Sequence, residues 1–189
     1  MFRPEFKHGD ALLIVDMQID FCPGGALPVP GGDEIIPYLN ECVAAAREAG
    51  VPVIASRDWH PQQHPSFEAE GGEWPPHCVQ DTEGASFHPE LALPLEAVKV
   101  SKGVRFDKDQ YSVFDETGLG DFLRGHGIER IWIGGLAQDV CVHASILAAC
   151  DEGFDVHLLA AATRPIDAQQ GEEAIAEMRA AGALIETAA

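Results

Sequence analysis

The segment "RIWIGGLAQDVCVHASILAACDEGFDVHLLA" (residues 130–160) reads as strand, helix, strand, and that order decides the fold class. "RIWIGG" (130–135) and "DVHLLA" (155–160) are short apolar runs, while Val140 to Cys150 carries a helical stripe that stops at Gly153. Two strands joined through a helix lie parallel, and strands without a polar face are buried on both sides. The unit therefore implies an α/β chain in which an open parallel sheet carries helices on both faces.

The same pattern extends outward in both directions. Strand-like runs stand at "ALLIV" (11–15), "VPVIAS" (51–56), "AVKVS" (97–101) and "ALIET" (183–187), which with the two above predict a six-stranded sheet. "DEIIPYLNECVAAAREAG" places Ile35, Ile36, Leu39, Val43 and Ala46 on one helical stripe ending at Gly50. "DAQQGEEAIAEMRAAG" opens with Asp167 and Gln170 at capping-box spacing and stops at Gly182, and a glycine-interrupted helix at "ETGLGDFLRGHG" fills the remaining crossover. The connection from about residue 57 to 95 is far longer than the ~4–6 residues usual in compact domains. Its Trp59, Phe67, Trp74 and Phe87 argue for an ordered loop rather than a disordered one.

With 189 residues and no linker-like composition, residues 1–189 are expected to form a single domain. Twelve Lys+Arg against 31 Asp+Glu give a formal net charge of −19, which disfavours nucleic acid and anionic membrane as partners. The apolar run at Ala11–Val15 is broken by Asp16, so neither a secretory leader nor a membrane span is read at the N-terminus. Five irregularly spaced cysteines argue for reduced thiols in a cytoplasm rather than a disulfide framework. The sequence leaves a homo-oligomer open.

Three residues fall at or just beyond strand ends, the edge where open α/β sheets bind ligands. Asp16 follows the first strand; its plain alternative is a helix cap or a solvated turn acid. Lys102 follows "AVKVS", where a surface charge is the ordinary reading. Cys141 comes just after "RIWIGG", in the first turn of a helix, where the dipole and a nearby ammonium would lower its pKa. A buried, inert thiol is the alternative, and it fits Cys42 and Cys150 better. Together the three supply a nucleophile and a proton carrier.

In "SRDWHPQQHPSF" (56–67), Asp58 and His60 are two apart, so an extended backbone points both side chains the same way. With His77 they make a two-histidine, one-carboxylate set of the kind that binds one divalent metal ion, with His64 as a fourth candidate. Histidine is frequent in this chain, with eight in all, so their clustering in one loop is what matters.

These residues resemble the nicotinamidase (pyrazinamidase) branch of the isochorismatase-like cysteine hydrolases. The resemblance rests on "LLIVDMQIDFCPGGAL", "RDWHPQQHPSF", "WPPHCVQDTEGASFHP", "KG" (102–103), "GGLAQDVCVHAS" and "TRPID" in that order, over nearly the whole chain. It implies that Asp16, Lys102 and Cys141 are the catalytic triad and that Asp58, His60 and His77 bind the metal, zinc first and iron or manganese as alternatives. His64 matches a ligand of only some members. It further implies Phe21 and Trp74 flanking the substrate ring, a cis Leu136–Ala137 peptide, and an oxyanion hole from the Ala137 and Cys141 amides. Gln138 departs from the threonine of many members, and Asp139 is expected to cap the helix or brace a loop. The implied activity is hydrolysis of nicotinamide, and of pyrazinamide, to the acid and ammonia through a thioester, in NAD salvage. The alternative is a related amidase for carbamoyl, ureido or other small amides, a group whose members generally lack the "DWH…H" set.

Overall fold

Strand formation follows from burial on both faces. In the computed structural model, which describes residues 3–187, the six residues of β1 (Asp10–Val15) are all buried. Its neighbours are β2 (Val53–Asp58) and β4 (Arg130–Gly135), with β3 (Val98–Lys102) outside β2, and β5 (Asp155–Thr163) and β6 (Leu184–Glu186) outside β4. The sheet order is β3-β2-β1-β4-β5-β6, every pair parallel. The order turns back between β1 and β4, which opens a crevice at their carboxyl ends.

The side chains of β1 alternate between two cores. Leu12 and Ile14 join Leu39, Val43 and Ala46 of α1 (Ile36–Ala49) on one face. Ala11, Leu13 and Val15 join Leu123 of α2 (Leu119–Gly125), Ile146 of α3 (His143–Asp151) and Met178 of α4 (Ala168–Ala180) on the other. Gly50 ends α1 in the left-handed conformation at φ 68°, as a C-terminal glycine should. Asp167 caps α4 by accepting the Gln170 amide at 2.9 Å, the half of the capping box that matters most for the helix start. No described helix is long and apolar enough to cross a membrane.

Several boundaries differ from the sequence reading. β2 begins at Val53 and continues through Asp58, because Arg57 and Asp58 pair in register with Ser101 and Lys102 of β3. Asp58 and Lys102 thus close their strands rather than follow them. β5 runs on to Thr163, past an irregularity opposite Ile133 and Gly135. The helix predicted from Val140 is preceded by a π turn, Gln138–Val142, so Cys141 sits in the wide turn rather than in α3 itself. The segment between β2 and β3 holds only a 3-10 turn, Glu68–Glu70, and isolated bridges such as His60 with Val79 and Phe67 with Trp74. It is ordered around Phe67, which is 1% exposed.

At the opposite, amino edge of the sheet, the Asp10 carboxylate accepts both Arg130 Nε and Nη2 at 2.8 Å and Trp132 Nε1 at 3.1 Å. Burial opposes ionisation there, but the Arg130 guanidinium and the Lys7 amide prevail and hold its pKa below the ordinary 3.8. A depressed folded pKa stabilises the protein above the unfolded value and loses that effect as pH falls through the folded one. Asp10→Asn is therefore expected to cost about 2 kcal/mol near neutrality. Urea unfolding at stepwise lower pH should show the deficit shrinking as pH falls below the ordinary 3.8 toward the depressed folded value.

Candidate active site

Four strand ends meet at the crevice. Lys102, the last residue of β3, is fully buried, and its Nζ lies 2.8 Å from Asp16 Oδ2, 2.6 Å from Asp58 Oδ1 and 3.4 Å from Cys141 Sγ. Asp16 leaves β1 with φ 49°, in the left-handed region, while its amide donates back to Ser56 on β2. Ser56 Oγ in turn donates to Asp16 Oδ1 at 2.6 Å. Gly135 at the end of β4 has φ 121°, and a Cβ there would stand 2.0 Å from the Val15 carbonyl oxygen. Only glycine lets the chain cross β1 this closely and carry Cys141 into the crevice. The Leu136–Ala137 peptide is cis, as the resemblance implies.

The charge balance corrects one expectation. Burial pushes the Cys141 thiol well above its ordinary range, against the pull of Lys102, and Asp16 and Asp58 push it further. A thiol lowered by its helix position is not what the surroundings produce, because the sulfur is buried and one ammonium faces two carboxylates. Burial also raises Asp16, partly offset by Lys102. Lys102 is held well above its usual value: burial works against its charge, and Asp16 and Asp58 outweigh it. For Asp58, too, burial is outweighed, by Lys102 and His60, and its pKa is lowered. The remaining thiols are raised chiefly by burial, Cys22 to about 11 and Cys42 to about 12, which agrees with a packing role.

Asp58, His60 and His77 bring ligand-type atoms within 4.8 Å of one another. His60 Nδ1 lies 2.8 Å from the Gly103 carbonyl and His77 Nδ1 2.7 Å from the Pro75 carbonyl. A carbonyl only accepts, so each Nδ1 carries the proton and each Nε2 presents a lone pair. That is how metal-ligating histidines are oriented. His60 Nε2 is buried without a hydrogen-bond partner and stands 3.6 Å from Asp58 Oδ2. The donor set therefore fits a divalent metal. His64 stacks on His60 with centroids 4.0 Å apart, and burial together with His60 pushes its pKa down to about 4.

The sequence reading passed over much of what supports this set. Phe67 meets the rings of His60, His64 and His77 at 5.5, 5.7 and 5.6 Å between centroids, a hydrophobic post for all three. A Cβ on Gly103 would stand 2.3 Å from His60 Cε1, so this glycine makes room for the ring. Gln18 accepts the Asp58 amide and donates to its carbonyl, both at 2.8 Å, fixing the strand end. None of these has a periodicity or spacing that marks it.

Phe21 and Trp74, expected at the substrate ring, both line the cleft above Cys141 and Ala137, with Tyr111, Asp109, Val140 and Ile166 among its other walls. Trp74 Nε1 donates to the Tyr111 hydroxyl at 3.0 Å across the cleft. Tyr111 was not singled out from the sequence, since it follows a polar loop without pattern. The Ala137 amide donates to no acceptor among the described residues. Asp139 braces the loop before α4, accepting the amides of Ile166 and Asp167 at 3.0 Å. A broader groove at the amino edge, near Arg47 and Pro94, gathers no comparable chemistry.

The chain is 39% identical to a nicotinamidase of Escherichia coli over 95% of both chains. Among solved structures it resembles the zinc complex of a Pyrococcus horikoshii pyrazinamidase, at TM-score 0.92 and 47% identity over 95% of this chain and 99% of that one. It also resembles the nicotinate complex of PnC1 from L. infantum, at TM-score 0.89 and 37% identity over 94% and 92%. Residues 10–189 match the family described as Isochorismatase domain, and the chain belongs to that family.

Proposed function

We propose that this chain hydrolyses nicotinamide to nicotinate and ammonia, and pyrazinamide likewise, by way of a cysteine thioester. The observation that carries the reading is the buried Lys102 ammonium, which gathers Asp16, Asp58 and Cys141 beneath an aromatic cleft. In this reading the thiol stays protonated until substrate arrives. Asp16 takes its proton as sulfur attacks the carboxamide carbon, and Lys102 keeps the developing charge in the site balanced. The Ala137 and Cys141 amides receive the tetrahedral oxyanion. Asp16 then passes the proton to the departing ammonia, leaving a thioester, and takes another from the water that hydrolyses it.

Asp58, His60 and His77 would hold one divalent ion, with His64 as a further ligand; zinc is our first assignment. When bound, the ion supplies a Lewis-acid site that orients the ring nitrogen. Phe21 and Trp74 would flank the ring, and Trp74 is held at its edge by Tyr111. Five free cysteines fit a reducing cytoplasm, and the proposed reaction would place the chain in NAD salvage. An amidase for carbamoyl or ureido compounds is the weaker reading, because the assembled histidine set gives a planar aza-ring a binding partner that such substrates do not use.

Ammonia release across nicotinamide, pyrazinamide and ureido compounds, with and without chelator, tests the substrate class. Release from the first two, suppressed by chelator, is expected; release from ureido compounds alone would overturn the reading. Cys141→Ala should lower kcat by roughly 10³-fold or more while the bound metal, measured by elemental analysis, stays at the parent level. His60→Ala combined with His77→Ala should abolish metal content and act mainly on KM, with Cys141 still open to alkylation by iodoacetamide.

A further inference from the structure

Asp109 lines the same cleft as Cys141 and Trp74 but has no role among those assigned above. It lies in the loop between β3 and α2, its side chain 20% exposed, with Oδ1 4.0 Å from His64 Nε2. His64 Nε2 is buried and has no hydrogen-bond partner, while Nδ1 meets Ser66 Oγ at 2.7 Å. Ligand-type atoms of His60, His64 and Asp109 lie within 4.8 Å of one another, the same closeness as in the Asp58, His60 and His77 set. The two sets share His60. The Gly103 carbonyl occupies its Nδ1, which leaves Nε2 for a metal. The loop's cations are committed elsewhere: Arg105 to Asp107 and Glu116, Lys108 to Glu116. Among the described residues Asp109 thus faces the histidines with no Lys or Arg partner, and its Oδ1 accepts the Gln110 amide at 2.8 Å.

We infer that Asp109 is a second carboxylate of the metal centre, acting with His64 beside His60 and setting which divalent cation is held. This rests on the metal reading above and adds to it a residue and a selectivity. The need for it is electrostatic. Asp58 Oδ1 is spent on Lys102, so that carboxylate is shared between an ammonium and the metal. A second carboxylate offsets the rest of a divalent charge. It also adds a hard oxygen donor, which favours manganese over zinc more than another imidazole would.

The test measures affinity directly. Metal-stripped parent, Asp109→Asn and Asp107→Asn compete for Zn(II) and Mn(II) against a chromophoric chelator, with thermal melts of the stripped proteins alongside. Asp109→Asn should weaken Mn(II) by about 10- to 100-fold and Zn(II) by less, whereas Asp107→Asn should match the parent. Unchanged affinities for both metals in Asp109→Asn overturn the inference, as does a lowered melt without a change in affinity, the mark of a plain His64–Asp109 ion pair. If the parent itself binds neither metal, the metal reading falls and this inference with it; parent-like binding by Asp109→Asn removes the inference alone.

Discussion

A lysine ammonium with no solvent contact is the constraint on which this structure turns. Its burial is tolerable only because Asp16 and Asp58 approach it at 2.8 and 2.6 Å, and removing one partner of such a group typically costs ~3–5 kcal/mol. The three residues come from the ends of β3, β1 and β2. Their meeting therefore depends on the parallel register that sets Asp58 opposite Lys102. Cys141 arrives from β4 on the other side of the switch in strand order, so the sheet topology itself builds the pocket for the thiol.

A second constraint governs the histidines. A loop broken by prolines cannot line up imidazoles as a helix would, and here the rings are oriented by what surrounds them. Phe67 fills the space between the rings, the Gly103 and Pro75 carbonyls fix two of them in rotation, and the missing side chain at Gly103 leaves space for His60. Packing and hydrogen bonding, rather than local sequence spacing, give the set its direction.

That difference explains what could be read in advance. The six strands, the helices and their parallel arrangement were legible because burial on two faces leaves unbroken apolar runs, and the "ALLIV" and "RIWIGG" runs are of that kind. Asp58, His60 and His77 were legible as metal-binding types, and Asp16 and Lys102 by position. The extent of β2 was not, because Arg57 and Asp58 are polar and join the strand only through pairing with β3. Tyr111 and Gln18 were hidden for a related reason, since each matters through a partner distant in the chain, and Phe67 was legible as an ordering aromatic but not as a support for the histidine rings. The upward push on the Cys141 pKa was not legible, since a helix start points to a low pKa and only the folded site shows its burial and two carboxylates around one ammonium.

Asp58 is the joint between the two halves of the site, one oxygen on Lys102 and the other toward His60. Sequence change cannot therefore separate the halves freely. A lineage that gave up the histidines would still be obliged to keep this acid for the lysine, and one that replaced the lysine would disturb the histidines as well. Descent within such a scaffold should leave the aspartate in place long after the rings beside it have been exchanged.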